Sequence, residues 1–343
     1  MADTTTSWQQ GAATGLGPMP GTSYEDATRI VAGESPELPF VPSLPARGVG
    51  ADPIGVAVSM LIDLPAEVVP SGWRISRRPG IDHRRALDQR NWVTDAVESQ
   101  FHGTRWVKIQ VSGPWSLAAG LELPSGHRAL VDPSAVDDLT DSLAEGLREW
   151  LADLGRRLGG ASPVVQFDEP LLGRVLAGTL PTASGFGTIG AREPIRVREV
   201  LGHAIEALGV PVVVRAGPGV PIGLLRDAGA AGLAIDLTTA LASASGVDLD
   251  ALGEAVEAGV VLLAGTTPTA APEQTATPVP MKTRAAPLLE VWRRWGYPLS
   301  LLADVVVPTP VDGLADVTQE QAVRSLSQAR EIARALPDPP DDW

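Results

Sequence analysis

Cysteine is absent from this chain of 343 residues, which excludes a disulfide framework and any metal site built on thiolates. Lysine is nearly absent: Lys108 and Lys282 are the two lysines among 27 basic residues, a bias that fits coding composition. Histidine occurs four times, and none of His83, His102, His127 and His203 has a second histidine two or four residues away. Each reads as a surface or capping residue. No run approaches the ~18 apolar residues of a membrane helix, and the start of the chain has neither a basic nor an apolar segment of the kind a secretory signal carries. The expected location is the cytoplasm. No Gly-x-Ser-x-Gly elbow occurs, and no basic stripe with interleaved aromatics, so nucleic-acid binding is not expected. The net charge of −14 and the 44% hydrophobic content are those of a globular protein with ample material for a core.

What is present is alternation. Strand-like runs over 55–60, 106–111, 164–167, 211–214, 232–235, 260–264 and 299–303 are separated by helix-like stretches over 24–32, 133–154, 196–208, 222–228, 249–258, 285–295 and 318–335. Asp132-Pro133 opens the longest helix, with Val136, Leu139, Leu143, Leu147, Leu151 and Leu154 at helical spacing. Thr318 and Gln321 fit a capping box. Such alternation implies parallel strands with crossover helices, and about eight units fit the length. The expected fold is an α/β (β/α)8 TIM barrel in one domain over 1–343, with 1–10 and 337–343 frayed. A doubly wound open sheet is the alternative, but no Gly-x-Gly-x-x-Gly follows a first strand. The Pro-rich segment 36–45 reads as an extended loop over one barrel mouth. The segment 266–280 reads as a long loop and mobile lid.

The stretch that carries most chemistry is Val164-Val165-Gln166-Phe167-Asp168-Glu169-Pro170. A buried strand here runs straight into two carboxylates, at the barrel face where catalytic groups sit. Either acid could equally cap the next helix. This run resembles the Asp-Glu-Pro strand end of the cobalamin-independent methionine synthase superfamily, which also contains uroporphyrinogen decarboxylase. Three further segments resemble that family in the same order along the chain: Gly15-Leu16-Gly17-Pro18-Met19-Pro20-Gly21, then the loop from Leu38-Pro39-Phe40 to Ala46-Arg47-Gly48, then Lys108-Ile109-Gln110-Val111-Ser112-Gly113-Pro114-Trp115.

The resemblance implies a methyltransferase of the 5-methyltetrahydropteroyltriglutamate–homocysteine type, with Asp168 gripping a substrate amino group and Glu169 beside it. It places Gly17, Gln110, Trp115 and Trp73 in loops around the substrate, although each tryptophan could as well be core. It also implies a zinc ion on a His-x-Cys pair, a Glu and a distal Cys. Those positions hold Arg215, Gly217, Asp236 and Asp312 here. Zinc is the family's cofactor, but its thiolates are missing, so no cofactor is expected. With the metal gone, an Arg215–Asp236 pair would restore charge balance; alternatively Arg215 reaches solvent. An oxygen-ligated metal on Asp168, Asp236 and Asp312 is a further alternative. The last strand could present either Asp304 or Asp312.

The leading expectation is therefore methyl transfer to homocysteine or a related small thiol or amino acid, with the methyl group supplied by another donor or a carrier protein. The alternative is a catalytically degenerate barrel that binds a ligand or partner. A decarboxylase acting on an anionic tetrapyrrole, held by Arg47, Arg74 and Arg77, comes third. Ser184-Gly185-Phe186-Gly187 is a weak phosphate cradle, and Arg77-Arg78 with Arg84-Arg85 is an anion patch or a solvated helix face.

Overall fold

Six apolar runs line up as one parallel sheet in the computed structural model, which describes residues 8–183, 185–242, 246–269, 280–340 and 343. They are β1 (Trp106–Ser112), β2 (Ser162–Glu169), β3 (Val212–Ala216), β4 (Gly232–Asp236), β5 (Val261–Thr267) and β6 (Val306–Pro310). The strands follow one another in sequence order across the sheet. Helices Pro133–Arg157, Pro194–Leu208, Ile222–Asp227, Leu249–Glu257 and Met281–Trp295 make the connections, and Gln319–Ala335 follows β6. Asp132 caps the first of these, and Thr318 with Gln321 forms the capping box of the last. No helix among the described residues is long and apolar enough to cross a membrane.

Side chains alternate across a strand, and here that alternation separates two cores. Val165, Phe167, Val212, Val214, Leu233 and Leu262 face outward into the helical layer. Val164, Val213, Ala234, Leu263 and Val307 face inward and pack with Trp8, Leu16 and Leu38. By the same alternation Lys108, Gln110, Gln166, Asp168, Arg215 and Asp236 stand on the inner face, and Glu169 on the outer one.

The sheet is TIM-barrel-like but is not a closed eight-stranded barrel. The gap between β1 and β6 is spanned by two extended segments. Val41 N–H donates to Lys108 O and Lys108 N–H to Pro39 O; Met19 pairs with Ser43, and Thr14 N–H reaches Pro308 O at 3.3 Å. The first two contacts make isolated bridges, at Phe40 with Lys108 and at Pro18 with Ser43, and no ladder. The reason is compositional: Pro18, Pro20, Pro39 and Pro42 lack the N–H groups that a ladder requires. The 36–45 segment is accordingly part of the barrel wall as well as a loop.

Two expected strands are helical. Residues Pro53–Val58 form a helix, because Asp52 accepts from Gly55 N–H and Pro53 occupies the first turn. The run 299–303 lies in the helical segments Leu299–Leu301 and Leu302–Val305, and the strand begins only at Val306. That shift puts Asp304 before β6, at the opposite end from the strand termini that carry Asp168 and Arg215. The hairpin of Ala66–Val69 and Gly72–Ile75 was not expected at all. Residues 1–7, most of the expected lid (270–279), Ser184 and residues 341–342 lie outside the described residues.

Candidate active site

The C-terminal ends of the strands surround a cavity of about 510 Å³. Asp168, Arg215, Asp236 and Asp312 bring charge to it, and Leu16, Pro53, Ile235 and Val311 contribute apolar wall. Four residues singled out from sequence, on three different strand ends and the loop after β6, thus meet at one opening.

Their pairing differs from expectation. Arg215 binds Asp312 through Nη2, and its Nη1 lies 3.9 Å from Asp168 Oδ1. Asp236 makes no pair with it. Its carboxylate caps helix Leu237–Ala240, accepting from Thr238 N–H at 2.9 Å, Thr239 N–H at 3.2 Å and both threonine hydroxyls. A short aspartate followed by two threonines is satisfied locally, which leaves the guanidinium to the acid beyond β6. Asp168 keeps 21% of its side-chain surface open. Burial pushes its carboxyl above the usual range, against the pull of Arg215, a 2.8 Å hydrogen bond from Gln166 Nε2, and Lys108.

Glu169, next in sequence, points the other way. It is fully buried and accepts from Trp115 N–H at 2.9 Å and Ser116 N–H at 2.7 Å, at the start of helix Pro114–Gly120. Burial pushes its carboxyl up to about 7, opposed by the Ser116 hydroxyl and by those two N–H groups. It caps a helix, though not the next one in sequence, and it does not face the cavity. Trp115 donates to Val197 O and Trp73 to Asp52; neither lines the cavity. Gln110 donates to Val41 O and borders a separate space of about 30 Å³, with its Oε1 unpartnered. Gly17, at φ +114°, leaves room for the Gln110 side chain, which a Cβ there would meet at 2.3 Å. Arg47 lies over the Tyr24 and Trp92 rings, and Arg74 is bound to Glu122 at 2.7 Å, so neither serves this cavity.

The residue that sequence reading passed over is Lys108. Its inner-face position on β1 buries it completely, with Nζ donating to Gln166 Oε1 at 2.8 Å. Burial pulls its amine down to about 7; Asp168 opposes that and Arg215 reinforces it. The available signal was a lone lysine two residues before Gln110, set among Trp106, Val107 and Ile109 in the first half of the strand.

A thiolate-held zinc does not fit these residues. Arg215 brings a fixed cation, Asp236 is saturated, and a Cβ on Gly217 would lie 2.4 Å from Pro170 O. No three His, Asp or Glu side chains converge among the described residues. Arg215→His combined with Gly217→Cys is therefore expected to leave zinc substoichiometric by metal analysis, because the cysteine cannot enter without moving the Pro170 turn. Stoichiometric zinc in that double variant would mean that the turn yields.

No family model and no curated protein matches the chain. Among solved structures, a B12-independent methionine synthase from Shewanella sp. W3-18-1, in complex with selenomethionine, superposes with a TM-score of 0.56 at 13% identity, over 95% of this chain and 98% of that one. A Burkholderia cenocepacia J2315 protein provisionally described as a lyase/mutase aligns over 88% and 77% of the two chains at 15% identity and a TM-score of 0.35. An Anabaena variabilis protein provisionally described as a sugar phosphate isomerase/epimerase aligns over 77% and 85% at 14% identity and 0.39. The first of these establishes a shared fold.

Proposed function

We propose that this chain is a methionine-synthase-like barrel that binds a small α-amino acid with a thiol or thioether side chain, and that any methyl transfer it performs on homocysteine or a related thiol proceeds without thiolate-ligated zinc. The observation that carries this reading is the pair of opposite charges on the cavity wall, Asp168 and Arg215, 3.9 Å apart. An α-amino acid presents an ammonium and a carboxylate at similar spacing. The Asp168 carboxylate accepts from the ammonium, and Arg215, held by Asp312 on one side, offers its remaining N–H groups to the carboxylate. The side chain of the ligand would then lie against Leu16, Ile235 and Val311. The likeness to a methionine synthase solved with selenomethionine supports a ligand of this class. Arg215 lowers the pKa of a nearby thiol only in part, so turnover on homocysteine would be slow.

Calorimetric titration with methionine and homocysteine tests the binding. Both are expected to bind, and the deaminated analogue 4-(methylthio)butanoate is not. Asp168→Asn should weaken methionine by about 100-fold, since it removes the charge that faces the ammonium. Equal binding of the deaminated analogue would remove the reading. A methyl-transfer assay with 5-methyltetrahydropteroyltriglutamate, run with and without chelator, tests the reaction. Binding without transfer would leave a ligand-binding barrel, a second reading that the closed position at Gly217 favours.

A further inference from the structure

Beneath the cavity the inner face of the sheet carries a charged group that the binding reading does not use. Lys108 Nζ has no exposure, donates to Gln166 Oε1 at 2.8 Å, and stands 5.7 Å from the centre of the Phe40 ring. The far end of the same amide, Gln166 Nε2, donates to Asp168 Oδ1 at 2.8 Å and to Leu16 O at 3.2 Å. A lysine ammonium can only donate, and a carboxylate and a carbonyl can only accept. The three partners therefore permit one orientation of Gln166, oxygen toward Lys108 and nitrogen toward Asp168. The amide is a fixed link between a buried amine and the carboxylate on the cavity wall.

The charged groups around this link are few. Asp168 on β2 and Arg215 on β3 act on Lys108, while the 39–43 segment packed beside it contributes the neutral Phe40 ring. Arg215, Lys108 and Asp312 act on Asp168. The residue type is informative as well. The chain uses arginine for 25 of its 27 basic residues (27 less the two lysines), yet at this buried position it has lysine. Arginine stays charged at any accessible pH, whereas a buried lysine can give up its proton.

We propose that Lys108 is a positioning residue for the cavity: acting through Gln166, it keeps the Asp168 carboxylate ionised and aimed at the cavity, and capture of a ligand ammonium there releases one proton from Lys108 to solvent. The first half stands without any ligand; the second rests on the amino-acid reading above. The proton balance is simple. Ligand ammonium and lysine ammonium become bound ligand ammonium, lysine amine and one proton in bulk water, with only a lysine N–H bond broken. Burial that draws the amine down to about 7 puts this exchange near neutral pH.

The test is carbon-13 NMR of protein labelled at the aspartate carboxyl, with the Asp168 signal identified by its loss in Asp168→Asn. Ligand-free wild type, Lys108→Met and Gln166→Leu are titrated. The Asp168 midpoint is expected to rise by about one to two pH units in Lys108→Met and by less in Gln166→Leu. An unmoved midpoint in both variants overturns the proposal, and Gln166→Leu decides alone if Lys108→Met does not fold. Methionine calorimetry in buffers of different ionisation heat then reads the second half. Wild type should release up to one proton per ligand near neutral pH and Lys108→Met none. Equal proton release from both proteins overturns that half. If methionine fails to bind wild type while the NMR shift is seen, the amino-acid reading falls and the role of Lys108 toward Asp168 stands. Binding without the shift gives the reverse.

Discussion

Lys108→Met is expected to flatten a rise in stability that the wild-type protein gains from this residue between about pH 7 and pH 10.5. In the folded chain the amine titrates near 7, drawn down chiefly by burial, whereas the unfolded chain titrates it at the ordinary 10.5. Between those values the unfolded state binds a proton that the folded state has released. Stability therefore climbs with pH by about 1.4 kcal/mol per unit. In the other direction, that contribution is lost as pH falls from 10.5 through about 7, and it is flat below. Tyr24, pushed up to about 12 by burial, acts in the opposite sense at the top of the range, but it is common to both proteins and cancels in their difference. Urea unfolding at about pH 7 and pH 9 should find wild type gaining roughly 2 kcal/mol relative to the variant, because the slope is only half-developed at the lower pH. Parallel curves would mean that the amine stays charged inside the barrel.

Much of the site was legible because strand ends are legible. The apolar runs that end in Asp168, Arg215 and Asp236 were recognisable by their composition, and parallel strands deliver such ends to one face. Which acid pairs with Arg215 was not. That depends on Thr238 and Thr239 supplying donors to Asp236, a side-chain competition that strand periodicity does not encode. The closed eight-strand expectation failed for a related reason. Strand number was inferred from length, while the prolines at 18, 20, 39 and 42 had already removed the donors that two further paired strands would have needed. The strand expected at 55–60 failed because four hydrophobic residues in six outweighed the Asp52-Pro53 helix start just before them. Lys108 was overlooked because its importance comes from burial, and a single lysine in a strand reads as exposed until the sheet is known to curl around it.

Adjacent carboxylates on one strand should also answer differently to substitution, and Glu169→Ala is expected to be the more damaging to stability, at about 3 kcal/mol. Both carboxylate oxygens are used, by Trp115 N–H and Ser116 N–H. Truncation leaves two buried donors unsatisfied, each worth about 1–3 kcal/mol, partly offset by removal of a buried acid. Glu169→Gln should lose roughly half as much, since its oxygen can still accept one N–H while its amide nitrogen confronts the other. The pH dependence has the opposite sign to that of Lys108. The folded carboxyl is raised to about 7 from 4.5, so its contribution is full below pH 4.5 and is lost as pH rises through about 7. The deficit of Glu169→Gln relative to wild type should therefore shrink across that window. Methionine affinity should stay within about twofold of wild type once the variant is folded, because Glu169 faces the helical layer, away from the cavity. Thermal unfolding and calorimetry on the same preparation separate the two roles. Unchanged stability with lost binding would return Glu169 to the site, and lost stability with binding retained would leave Asp168 as the acid of this pair that meets the ligand.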